Sequence, residues 1–119
     1  MSNIQSHKDL KVWQESMSLV IDIYNSTKTF LKEEVYALSR QMKRSAVSIP
    51  SNITEGAGRQ SNAEFIRFLS LGSASEIETQ IEIAFRLHYI EDISDLNSKI
   101  RFIKNMLSKL IESLKYKKN

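Results

Sequence analysis

The chain has no cysteine. Disulfides and cysteine-ligated metals are therefore excluded, and thiol chemistry with them. It has two histidines, His7 and His88, and Phe85 stands three residues before His88. The Glu-x-x-His pairs of a di-iron bundle are accordingly missing. Only three glycines and one proline occur, and no glycine-rich loop follows a strand, so nucleotide cradling lacks support. Nowhere do roughly 18 uncharged apolar residues run together, as a membrane span requires. The start, MSNIQSHKDLKVW, lacks the apolar run of a signal peptide. The expected compartment is the cytoplasm, with no membrane partner. The sequons Asn25-Ser26-Thr27 and Asn52-Ile53-Thr54 are then chance matches. Glu76, Glu78 and Glu82 hint at a metal, but Glu78 and Glu82 lie off the apolar face and read as solvated charges. These absences predict a protein that is not an enzyme and holds no cofactor or metal.

What is present is helical periodicity. The 119 residues form one domain, long enough to bury a core. The charged fraction, 26%, is ordinary, and a net charge of +3 is only mildly basic. Four segments rich in isoleucine and leucine predict an all-α, antiparallel up-down-up-down four-helix bundle. The first helix spans about 9–27, starting at Asp9 as N-cap, with Leu10, Trp13, Met17, Val20, Ile21 and Tyr24 at core spacing. Phe30 tucks under the connection that follows. Glu33 and Glu34 open the second helix, about 34–56, where the macrodipole favours negative charge. The third helix spans about 62–89, capped by Ser61 or Asn62. The fourth spans about 95–116, with Leu96, Ile100, Ile103, Leu107, Leu110 and Leu114 alternating in steps of four and three. Phe102, Met106 and Ile111 widen that stripe and leave apolar surface for contacts outside the monomer.

The stretch YALSRQMKRSAVSIPSNITEGAGR, Tyr36 to Arg59, organises the rest. Leu38, Met42, Ala46, Ile49 and Ile53 keep helical phase straight through Pro50, within a sector of roughly 100°. Proline in a helix interior costs about 3 kcal/mol, so a helix kinked at Pro50 is expected, with Ser48 and Ser51 bonding freed carbonyls. The alternative is one helix ending before Pro50 and another beginning there. Gly56-Ala57-Gly58 ends the helix through a left-handed residue. Beside the apolar sector runs a polar seam containing Arg44, Ser48 and Asn52. The third helix places Gly72, Ser73, Glu76 and Gln80 on its apolar face. A mid-helix glycine costs about 1 kcal/mol relative to alanine, which points to a backbone passing close. A carboxylate on a core face needs a partner. A polar network of Arg44, Ser48, Asn52, Glu76 and Gln80 is expected between the second and third helices, with Arg44 and Glu76 as its charged members. Glu55 and Arg59 read as an i,i+4 surface pair.

The segments QMKRSAVSIPSNITEGAGR and EFIRFLSLGSASEIETQ resemble the signature of a bacterial four-helix-bundle family encoded in intervening sequences of 23S ribosomal RNA genes. The same fold serves as the accessory variability protein of diversity-generating retroelements. The likeness runs from about Asp9 to Tyr89. It implies a ring-shaped homopentamer with a basic surface, associated with structured RNA, with DNA or with a reverse transcriptase. Two loose groups of cations are the candidates to meet a nucleic acid: Arg40, Lys43, Arg59 and Arg67, and then Lys104, Lys109, Lys115, Lys117 and Lys118. Two classes of function follow. One is a non-enzymatic nucleic-acid-binding oligomer, RNA being favoured. The other is a structural or adaptor bundle that binds a protein partner.

Overall fold

A short 3₁₀ turn, His7–Asp9, opens the computed structural model, which describes residues 6–30, 33–72 and 74–116. Five helices follow: α1 (Lys11–Ser26), α2 (Glu33–Ala57), α3 (Asn62–Leu71), α4 (Ser75–Arg86) and α5 (Ser94–Lys115). The described residues contain no strand. Trp13 Nε1 donates to Thr54 Oγ1 at 3.0 Å, joining the start of α1 to the end of α2. Asn62 Nδ2 donates to the Leu114 carbonyl at 3.3 Å, joining the start of α3 to the end of α5. Lys99, early in α5, reaches Ser18 and Asp22, late in α1. Start-to-end contacts of this kind arise between helices running in opposite directions. α1 packs on α2 and α5, α2 on α3 and α4, and α3 on α5, which closes a four-cornered bundle with α3 and α4 sharing one corner. The molecule is elongated, 50 × 23 × 20 Å, as its longest helix requires: 25 residues at 1.5 Å each span roughly 37 Å.

The core agrees with the periodicity along most of the chain. Met42, Ala46, Ile49 and Ile53 of α2 are buried, and so are Ile100 and Ile103 of α5. Phe30 is buried under its loop, its ring tilted against Tyr89 at 5.5 Å between centroids. α2 runs without interruption through Pro50. Ser48 Oγ donates to the Ser45 carbonyl at 2.7 Å, and Asn52 Nδ2 to the Ser48 carbonyl at 2.7 Å.

Four expectations are corrected. First, the inward face of α1 consists of Val12, Ser16, Leu19 and Ile23, while Met17, Ile21 and Tyr24 are exposed. This helix has two apolar stripes, and the one carrying small Ser16 is the one buried. Ser16 keeps its hydroxyl satisfied by donating to the Val12 carbonyl. Trp13 stays half-buried. Second, α1 starts at Lys11, with Leu10 at the cap position, because His7–Asp9 forms the 3₁₀ turn. Third, the expected third helix is divided: α3 ends at Leu71 and α4 begins at Ser75. A Cβ on Gly72 would stand 2.9 Å from Asn52 Cβ and 3.3 Å from the Ser48 carbonyl oxygen. The close approach read from that glycine is present, and the helix breaks there. Ser73 lies outside the described residues. The segment ends at Arg86, where Tyr89 N–H bonds the Ala84 carbonyl at 2.9 Å around His88, whose φ is 66°. Fourth, no described glycine has positive φ. α2 ends instead through short-range bonds from Gly58 and Arg59 N–H to the Glu55 and Gly56 carbonyls, and Gly56 serves as a packing site.

Candidate nucleic-acid interface

From residue 35 to 54 the chain contains no aspartate or glutamate, but it does contain Arg40, Lys43 and Arg44. The consequence is arithmetic. Seventeen basic and fourteen acidic residues make +3. Without these three cations fourteen of each sign remain, so the whole net charge equals that of this stretch. Helical spacing puts Tyr36, Arg40, Lys43, Arg44 and Val47 within one sector of roughly 100°. That sector is the outer side of α2, opposite Met42, Ala46 and Ile49. Arg40 and Arg44 are exposed and Lys43 is half-buried.

Aromatic rings flank the cations. The Arg40 guanidinium carbon lies 5.7 Å from the centroid of Tyr36, and Lys43 Nζ lies 4.9 Å from that of Tyr24. Tyr24 comes from α1, on the stripe that faces outward. The rings themselves remain open, Tyr24 at 43% and Tyr36 at 56% exposure. Contacts of this type contribute about 0.5–1 kcal/mol at exposed sites, enough to orient a side chain without neutralising it. Among the described residues no carboxylate pairs with Arg40, Lys43 or Arg44.

The other expected cations differ. Arg59 pairs with Glu55 at 2.9 Å and Arg67 with Glu64 at 3.1 Å. Both guanidiniums also lie on the Phe68 ring, at 4.7 and 4.6 Å. Hence Arg59 and Arg67 come together at the α2–α3 junction, and Arg40 and Lys43 do not join them. The fourteen helical steps from Lys43 to Ala57, where α2 ends, alone correspond to roughly 21 Å. Lys104 pairs with Glu78 at 3.0 Å. Lys109 sits beside an apolar groove, Lys115 ends α5, and Lys117 and Lys118 lie outside the described residues.

The expected polar network is brought together only in part. Ser48 and Asn52 lie at the close approach to Gly72, but their side chains bond carbonyls of α2 itself. Gln80 Oε1 is buried with no hydrogen-bond partner among the described residues. Arg44 and Glu76 are both exposed, and no ion pair joins them among the described residues. Arg44 stands with Arg40 and Lys43, which its spacing within an acid-free run could have indicated. Tyr24 was assigned to the core because at helical spacing an aromatic is ordinarily buried, and Tyr36 was not singled out.

Grooves lie elsewhere. One of about 410 Å³ runs between the start of α1 and α5, floored by Leu10, Val12, Phe102, Met106 and Leu110, with Lys11 and Lys109 beside it. Among the described residues no cluster of three or more His, Asp or Glu is placed to hold a metal ion. No described helix is long and apolar enough to cross a membrane.

The family model described as 23S rRNA-intervening sequence protein matches residues 8–109. Among solved structures, the chain is similar to a protein of unknown function from the S23 ribosomal protein family of Bacteroides thetaiotaomicron. The two are 29% identical, over 87% of this chain and 94% of the other, with a TM-score of 0.62. No curated protein matches.

Proposed function

Because the chain belongs to the 23S rRNA-intervening sequence protein family, we propose that it is a non-enzymatic, oligomeric nucleic-acid-binding protein of the cytoplasm that takes RNA in preference to DNA. The observation that carries this reading is the outer face of α2 along its acid-free stretch, residues 35–54. Its three cations have no carboxylate partner among the described residues, and their number equals the net charge. A phosphate backbone is the polyanion such a face suits, since each cation it meets releases condensed counterions. Sequence tolerance is expected, because phosphates carry no base identity. Assembly multiplies the effect: copies of a weak patch in one particle bind a long strand together. Exposed Leu71, Ile83, Phe85, Leu87 and Phe102 supply apolar surface for assembly away from α2. The family likeness makes five copies the expectation. A sedimentation mass near the 13.7 kDa of one chain at high concentration would remove the assembly.

Titration of labelled RNA tests the binding. Three cations per chain predict a salt slope of about −2 for a single strand, or roughly twentyfold weaker binding between 50 and 200 mM salt. Replacing Arg40, Lys43 and Arg44 by alanine should remove most of that slope. Absence of association at micromolar protein in about 50 mM salt rejects the proposal.

The α1–α5 groove favours a second reading, an adaptor that docks an apolar segment of a protein such as a reverse transcriptase. Recovery of a partner after nuclease treatment, lost on Met106→Glu, would support it over RNA binding.

A further inference from the structure

We infer that the α2 face takes single-stranded nucleic acid and discriminates against duplex, through stacking of unpaired bases on Tyr24 and Tyr36. The inference rests on the nucleic-acid reading above and names the ligand class for the same face. A duplex presents phosphates outward and keeps its bases stacked inside. A site for duplex backbone needs cations and gains nothing from open rings. Here each of two rings has a cation on it. Tyr36 touches Arg40, and Lys43, one turn along the same helix, touches Tyr24 from the neighbouring helix. Both rings are more than two-fifths exposed although each already has a cation on it. Ile21 at 56% and Val47 at 38% exposure add apolar surface beside them. Apolar and aromatic side chains can receive base faces, and a hydrated phosphate backbone has no use for them. Strand-tracking proteins pair cations for the phosphates with aromatics for the bases. Each stacked base strengthens binding by roughly tenfold, whatever its identity.

The test uses the full chain and fluorescence anisotropy at constant salt, with three labelled probes of about 16 nucleotides: oligouridine, a duplex RNA, and an abasic oligomer that keeps every phosphate. Oligouridine should bind at least about tenfold more tightly than the other two. Tyr24→Leu with Tyr36→Leu should erase that preference, and Tyr24→Phe with Tyr36→Phe should keep it, with helical content followed by circular dichroism. Equal affinity for all three probes, with salt dependence intact, overturns the inference and leaves nucleic-acid binding standing. Binding of none of them, with attachment to phosphatidylglycerol vesicles instead, overturns both. The abasic comparison uses only the unsubstituted protein, so misfolding of a variant does not rescue the inference.

Discussion

Substituting alanine for Gly56 and for Gly58, two residues apart, should move stability in opposite directions. Alanine gains about 1 kcal/mol over glycine inside a helix, which favours the change at Gly56, and it restricts the unfolded chain, which favours the change at Gly58 just past the helix end. Space separates them. A Cβ on Gly56 would lie 2.8 Å from Phe65 Cδ1, 2.9 Å from Phe68 Cβ and 3.2 Å from the Phe65 carbonyl oxygen. Two of those atoms are backbone or directly attached to it and cannot swing aside, so α3 as a whole must move. Overpacking of this kind costs about 1–3 kcal/mol, and the α2–α3 contact loses dispersion besides. The expected net effect of Gly56→Ala is a loss of about 1–2 kcal/mol, after about 1 kcal/mol of helix propensity is credited. Gly58 is exposed, and the nearest atom to its added Cβ is the Glu55 carbonyl oxygen at 3.6 Å, an ordinary contact. Its φ is not positive, so alanine fits, and a gain of about 0.4–1 kcal/mol follows from the restricted unfolded chain. Urea unfolding followed by helical circular dichroism would read a gap of about 2 kcal/mol between the variants. If Gly56→Ala is as stable as Gly58→Ala, the tight α2–α3 approach is wrong, and so is the placement of Arg59 and Arg67 around Phe68.

Three further outcomes follow from local geometry. His88, at φ 66°, closes α4 in a conformation that suits glycine, so His88→Gly should raise stability by about 1 kcal/mol in thermal unfolding. Asp92 is held below its ordinary carboxylate value of 3.8, first by the Ser94 backbone N–H and then by the Ser94 hydroxyl. A depressed carboxylate stabilises above its unfolded pKa and loses that contribution as pH falls through its folded value. The stability difference between the protein and Asp92→Ala, present at neutral pH, should therefore vanish in acid; a difference that is flat with pH would count against the Asp92–Ser94 cap. Lys99 holds Ser18 and Asp22 across α1 and α5 while a quarter exposed, so a Lys99→Met, Asp22→Asn double-mutant cycle should show coupling of about 1 kcal/mol or less that weakens with salt.

Much of the architecture was legible because helical period survives local obstacles. Leu38 through Ile53 keep phase across Pro50, and the helix is continuous there. Of the alternating stripe of α5, Leu96, Ile100, Ile103, Leu107 and Leu114 are buried and Leu110 is half-buried. Gly72 announced a close backbone and has one. The candidate site was less legible. Arg40 and Lys43 were visible as cations, yet so were Arg59, Arg67 and Lys104; the Glu55–Arg59 pair was legible from its i,i+4 spacing and is present, whereas the pairing of Arg67 with Glu64 and of Lys104 with Glu78 was read only from the structure. Arg44 was assigned to a partner, Glu76, that faces solvent as it does.

The one-dimensional pattern determined that this protein is helical, which positions on α2 and α5 turn inward, and where its excess charge resides. Those are properties of period and composition, and they hold before any two helices meet. Tertiary structure decided which of two apolar stripes on α1 is buried, that the third segment breaks beside Asn52, and that Tyr24 stands next to Lys43. The physical reason is common to all three. Hydrophobic pattern sets how much surface must leave water, while the size of the side chains at each contact sets which helix faces can approach closely enough to remove it.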